Sequence, residues 1–258
     1  MARLDIGHER PPVLLHPVGL DAASWQDVPS LLAFDHKVIS VDLRGHGSSP
    51  PVSPAMSLRD YAADVAELID GLKLGRVVVA GLSFGGMIAQ TMGIEFTDLL
   101  RGLVIAGCPS DLNDAQRDVL RKRGVKAQQG GMQAILDETI SRWFTPAFVA
   151  GGGAKPIEQR LLTDDPAAWA SAWAAIGDLR TGPRLGEVTI PALCIAGGQD
   201  AASPVTALRD IAEKITNARL AIIPEAPHMM QIETPQIFAG EMRNFTSSLP
   251  PEKIAPKA

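Results

Sequence analysis

One stretch constrains this chain more than any other: Arg76-Val77-Val78-Val79-Ala80, then Gly81-Leu82-Ser83-Phe84-Gly85-Gly86, then Met87-Ile88-Ala89-Gln90-Thr91-Met92. A β-branched apolar run passes through a glycine-flanked serine straight into a helical segment. A strand that gives way to a helix within so few residues needs a turn too tight for side chains at the flanking positions, and glycine removes them. Such a turn lifts the serine hydroxyl clear of the sheet edge and leaves the N–H of the next residue, Phe84, pointing at whatever that hydroxyl attacks. A glycine-rich turn with a capping serine carries the same letters, so the surrounding chain must decide between the two.

Upstream, Val13-Leu14-Leu15 reads as a strand ending at His16-Pro17-Val18-Gly19, followed by a short helix over 25–32. Residues 37–42 are a second β-branched run. It ends in the glycine-rich turn Asp42-Leu43-Arg44-Gly45-His46-Gly47-Ser48-Ser49, and a proline-rich loop follows. Ser57 and Asp60 have the spacing of a capping box. Behind them Leu58, Tyr61, Ala62, Val65, Leu68, Ile69 and Leu72 recur at helical spacing. After the serine turn come a helix to about Phe96 and a strand over 103–106. Strand and helix alternate throughout, which predicts a parallel sheet covered by helices on both faces. Ligands of such sheets bind beyond the carboxyl ends of the strands, where His16, Asp42, Ser83 and Gly107 all fall.

From 110 to 188 no strand pattern occurs. Asn113 and Gln116 are spaced as a second capping box, 131–143 reads as a further helical stretch, Gly151-Gly152-Gly153 is a break, and Asp165-Pro166 opens an Ala- and Trp-rich helix. The expectation is an all-helical cap over 110–188 inserted into a core of 1–109 and 189–249. The alternation then resumes: a strand over 192–196, a helix from Ser203-Pro204, a strand over 219–223, and a last helix capped by Thr234-Pro235. Residues 250–258 read as a disordered tail.

Composition narrows the function classes. A net charge of −5 in 258 residues leaves no basic footprint for nucleic acid or an anionic membrane. No apolar stretch has the length of a membrane span, and charges interrupt the first residues too early for a signal peptide. The two cysteines, Cys108 and Cys194, lie at or in apolar runs, so they read as buried thiols in a cytoplasmic protein. Metal-ligand spacings are absent, and neither metal nor cofactor is expected.

A serine nucleophile needs a base, and the base an orienting acid. His8 and His36 read as surface residues, leaving His16, His46 and His228 near strand carboxyl ends. Asp200, in Gly197-Gly198-Gln199-Asp200-Ala201-Ala202-Ser203-Pro204, ends a strand between the serine and His228. With these motifs in view, the chain resembles the α/β-hydrolase fold family over nearly its whole length. Ser83, Asp200 and His228 follow that family's order of nucleophile, acid and base. Residues 197–204 match its G-x-x-D-x-x-x-P motif, His228 to Pro235 its H-x-x-x-x-E-x-P motif, and 42–49 its D-x-R-G-x-G-x-S turn. The resemblance implies an oxyanion hole made by the N–H groups of Phe84 and Val18, a structural role for His46, and a helical cap inserted after the sixth strand of the family's scheme. Two positions depart from the pattern: Pro17 and Pro227 stand where the family usually has glycine. The amino-terminal hairpin is also short, with room for at most one strand over 2–6.

Within the family the chain is most similar to the 3-oxoadipate enol-lactonases, a likeness carried by 38–48, 81–88 and Arg142-Trp143-Phe144-Thr145-Pro146-Ala147-Phe148. The resemblance implies a serine hydrolase acting on a small ester or lactone. General carboxylesterases, perhydrolases and C–C bond hydrolases share the triad, and a triad-bearing ligand receptor is the alternative from another class. Epoxide hydrolases and haloalkane dehalogenases use an aspartate where this chain has Ser83. The substrate-contact candidates are Arg142, Trp143, Phe144, Phe148 and Met229. Trp169 and Trp173, four apart on one helix face, either wall the pocket or pack the cap. Arg44 reads as an anchor of its own turn. Oligomeric state is not legible.

Overall fold

The computed structural model describes residues 11–32, 37–52 and 56–250. The expected strand at 2–6, His8, His36 and the tail from 251 lie outside them. Six strands, β1 (Val13–Leu15), β2 (Ile39–Val41), β3 (Val77–Leu82), β4 (Leu100–Ala106), β5 (Ala192–Gly197) and β6 (Ala218–Ile223), form one sheet in the order β2-β1-β3-β4-β5-β6. Every neighbouring pair is parallel. β1, β3 and β5 are buried at every position, as strands covered on both faces must be. The edge strand β6 is only partly buried.

Around the sheet lie α1 (Asp27–Leu32), α2 (Leu58–Gly71) and α3 (Phe84–Glu95). Between β4 and β5 come α4 (Asp114–Gly130), α5 (Leu136–Trp143), α6 (Pro146–Ala150), α7 (Lys155–Leu162) and α8 (Pro166–Gly177). The last helices are α9 (Val205–Lys214), α10 (Met230–Glu233) and α11 (Pro235–Ser248). Successive residues of a strand face opposite sides, and β4 shows what lies on each. A Cβ on Gly102 would meet Phe245 and Leu249, at the end of α11, whereas Leu103 abuts Gly93 of α3. Both faces are therefore covered. From Phe84 to Gly93, α3 is buried all round, which makes it the central helix of the core.

Among the described residues, the segment between β4 and β5 contributes no strand to the sheet. Its two ends are joined by an isolated antiparallel bridge, Asp111 to Arg180. The buried Arg117 reinforces that seam by donating to the carbonyls of Gly177 and Leu179 and to the Asp111 carboxylate. Small residues let α4 and α8 come close: a Cβ on Gly124 would lie 2.8 Å from the Cα of Ala170.

Local signals and structure agree at the caps of α2, α4 and α8. Both boxes are formed, and Asp165 accepts from the Ala167 N–H. They differ at Thr234. Its hydroxyl donates back to the Met230 carbonyl instead of capping α11, because the short helix α10 occupies the preceding turn. The helical stretch at 131–143 is a 3-10 turn, Met132–Ile135, followed by α5. The glycine run at 151–153 is a closed turn whose N–H groups donate to Ala147, Phe148 and Val149 carbonyls.

Candidate active site

At the carboxyl edge, β3 runs into α3 through Ser83, whose backbone sits at φ 57°, ψ −114°. The flanking glycines explain why the chain turns here. A Cβ on Gly81 would lie 2.0 Å from the Gly85 carbonyl oxygen, and one on Gly85 would lie 2.1 Å from that of Leu15. The turn closes on itself and on β1, and the Ser83 N–H is held by the Ala106 carbonyl at 2.8 Å. A non-glycine residue in such a region stores about 1–3 kcal/mol of strain.

His228, on the loop after β6, places Nε2 3.0 Å from the Ser83 hydroxyl oxygen and Nδ1 2.9 Å from Oδ2 of Asp200. Both side chains are almost fully buried. The other carboxylate oxygen of Asp200 accepts from the Ala202 and Ser203 N–H groups at 2.7 and 2.9 Å. The carboxylate is thus aimed, and it fixes the imidazole tautomer: Nδ1–H donates to Asp200 and Nε2 accepts from the serine hydroxyl.

The other two histidines are occupied elsewhere. The Leu43 N–H donates to Nε2 of His16 at 3.0 Å, so the ring proton sits on Nδ1 and is donated to the Pro17 carbonyl at 2.7 Å. Burial, with His46 adding to it, lowers the His16 pKa to about 3 and keeps the ring neutral. Across a trans peptide the C=O and N–H point in opposite directions. Holding the Pro17 carbonyl therefore turns the Val18 N–H the other way, and Val18 lines the same cavity as Ser83 and His228. As the first residue of α3, Phe84 has an N–H with no partner within its own helix. His46 is buried between His16 and the Phe84 ring, and burial lowers its pKa to about 4. Asp42 anchors its turn by accepting from Ala22 and Ser48. Although burial pushes its pKa up, those hydrogen bonds outweigh it and the carboxyl stays below its usual range. Arg44 forms a bidentate pair with Asp64 of α2 at 2.7 and 2.6 Å, tying the turn to that helix.

The cavity over Ser83 and His228 has a volume of about 680 Å³. Of the five substrate-contact candidates, Arg142 and Trp143 line it. The other three do not: Phe144 and Phe148 stack on each other at 5.1 Å, and Met229, next to His228, is fully buried. Trp173 lines the cavity, whereas Trp169 packs against the loop at Gly19. Among the described residues, two buried donors on the lining, Nε of Arg142 and Nε1 of Trp173, have no hydrogen-bond partner. Among the described residues Arg142 forms no ion pair. Arg123, on the same wall, pairs with Glu138 at 2.8 Å and lies 5.1 Å over the Trp173 ring; burial, then Arg142, lowers its pKa. The sequence carries no signal for Arg123, because α4 is charged around most of its surface. A second cavity of about 670 Å³, bordered by Asp21, Asp42, Arg160 and Asp164, excludes the serine and histidine.

A family profile described as the alpha/beta hydrolase family matches residues 13–241. The chain belongs to that family. Among curated relatives, 3-oxoadipate enol-lactonase 2 of Acinetobacter baylyi is 30% identical over 237 residues, covering 89% of this chain and 86% of that protein. The solved enol-lactonase from Burkholderia xenovorans LB400 matches with a TM-score of 0.88 at 26% identity, covering 93% of this chain and 92% of that one. A thermophilic esterase from Thermogutta terrifontis also reaches 0.88 at 26% identity, covering 94% and 91%. The chain's six-stranded parallel sheet with flanking helices is an alpha/beta hydrolase fold, and these relatives are hydrolases of the enol-lactonase and esterase kinds.

Proposed function

We propose that this chain is a cytoplasmic serine hydrolase that opens a small carboxylic ester or lactone through an acyl-enzyme, with no metal or cofactor. The observation that carries the reading is the contact series from Asp200 through His228 to Ser83, at 2.9 and 3.0 Å, ending in a cavity. His228 takes the Ser83 proton as the hydroxyl oxygen attacks the carbonyl carbon, and Asp200 stabilises the imidazolium. The oxyanion is held by the N–H groups of Phe84 and Val18. Loss of one such donor typically costs roughly a hundred- to a thousand-fold in turnover. The tetrahedral intermediate collapses by breaking the bond to the leaving oxygen, which receives the proton from His228. In a lactone that oxygen stays tethered to the acyl group. Water, deprotonated by His228, then attacks the acyl-enzyme and frees the acid.

Residues 110–188 act as a cap whose α4, α5 and α8 wall the cavity. The guanidinium of Arg142, without a carboxylate partner among the described residues, suits a substrate bearing a carboxylate away from its reacting carbonyl, as the enol-lactonase relatives suggest. Labelling by a fluorophosphonate should occur in wild type and vanish in Ser83→Ala. A wild-type protein that neither labels nor turns over any ester or lactone is a receptor or another kind of catalyst, and the proposal fails. Arg142→Ala should raise KM for a carboxylate-bearing lactone by roughly ten- to a hundred-fold, the size of a lost charge-assisted hydrogen bond. KM for a neutral aryl ester should barely move. Equal effects on both substrates would remove Arg142 from carboxylate recognition.

A further inference from the structure

We infer that Glu233 and Thr145 form a latch that positions the base loop against the cavity wall, making both positioning residues for the hydrolysis proposed above, on which this inference rests. The wall residues Arg142 and Trp143 end α5, and the base His228 begins the loop that runs through α10 to Glu233. These two segments are far apart in sequence, yet they are fastened at two points. The Met229 N–H, next to the base, donates to the Trp143 carbonyl at 3.0 Å. Trp143 is in the last turn of α5, where carbonyls lack helical partners. At the other end of the loop, the Thr145 N–H donates to Oε2 of Glu233 at 3.1 Å, and its hydroxyl donates to Oε1 in a short contact. That hydroxyl also accepts from the Phe148 N–H at 3.3 Å, so it is held from both sides.

Among the described residues Glu233 has no ion-pair partner, and both of its oxygens are used on one residue 88 positions away. A carboxylate spent this way holds two backbone segments in register. The Ser83–His228 contact depends on where the loop sits, while the Arg142 and Trp143 side chains depend on where α5 ends. The latch makes these one rigid unit, so a substrate seated on the wall meets the base at a fixed height. A misplacement of about 1 Å can cost as much as a hundred-fold in rate.

Thr145→Val removes the hydroxyl from both of its bonds and leaves the backbone donor; Thr145→Ser restores the hydroxyl. Glu233→Ala removes both acceptors. Turnover should be measured per phosphonylated serine, well below each variant's melting temperature. The expected result is a kcat lowered about tenfold or more in Thr145→Val and Glu233→Ala with KM changed far less, and Thr145→Ser close to wild type. Wild-type kcat per active serine in both damaged variants, whatever their melting temperatures, overturns the latch. So does a Thr145→Ser no better than Thr145→Val. The NMR resonance of the His228 Nδ1 proton is a readout that needs no turnover. It should shift or broaden in Thr145→Val and return in Thr145→Ser, and an unchanged resonance counts against the latch even if the protein hydrolyses nothing.

Discussion

Ser83 occupies a backbone conformation that L-residues avoid, and it does so because the glycines on either side let the turn close to contact distance. The strain belongs to the residue, so it can be read by changing that residue alone. Ser83→Gly and Ser83→Ala both lose the hydroxyl, but only glycine takes a positive φ without a clash. Ser83→Gly should therefore be more stable than Ser83→Ala by about 1–3 kcal/mol in urea denaturation; equal stabilities would mean that the turn stores no strain. Candidate site residues are legible at this scale where they lie in motifs just beyond the end of a strand. Ser83, Asp200 and His228 can be found by their positions in motifs and come together in space. His16 shows the limit. Its ring is set by the Leu43 N–H, 27 residues away, and no local pattern announces that bond. The other ring nitrogen of His16 meets the Pro17 carbonyl, so what this position supplies is an acceptor, which a residue with no N–H still has.

Elements with strong periodicity could be read from the chain, and short ones could not. β3 follows from a β-branched run, β5 from a short apolar run after Pro191, and α2 from a three-and-four spacing. By contrast α6, α7 and α10 have at most eight residues, too few for a periodic face to emerge. How α7 docks is likewise invisible in sequence. Arg160 at its end reaches Asp21 on the core and Asp164 just beyond the helix, each at 2.5 Å. Burial raises the Asp164 pKa to about 7 against the pull of Arg160. Its folded pKa then exceeds the unfolded value of 3.8, and between those values the folded state binds the extra proton. The Asp164 contribution to stability is greatest at low pH, falls as pH rises from about 4 to about 7, and is flat above. The slope is at most about 1.4 kcal/mol per pH unit. Asp164→Asn should abolish this fall when urea unfolding is compared with wild type from pH 5 to 8. The buried neutral His16 and His46 pull the opposite way, since the unfolded chain binds their protons first as pH drops below about 6.5. They are present in both proteins and cancel in the difference. Parallel slopes in the two proteins would show that Asp164 titrates normally.

At the scale of the molecule, the alternation of strands and helices was enough to define the sheet and to put Ser83, Asp200 and His228 on one edge. The arrangement of the helices between β4 and β5 was not legible. Their packing depends on close approaches such as Gly124 against Ala170, and on indole and guanidinium groups whose neighbours come from other helices. That is why Arg142 could be nominated as a wall residue but Arg123 could not, and why Phe144 and Phe148 proved to stack on each other. The bridge between Asp111 and Arg180 marks this division as a seam in the chain. The helical segment leaves the sheet and returns to it at one place, so the strands on either side are threaded as if a short connector joined them. A lineage could exchange everything between those two residues without re-routing a strand, and a graft made at the same seam would carry that segment's share of the cavity wall to the sheet as a single parcel of sequence.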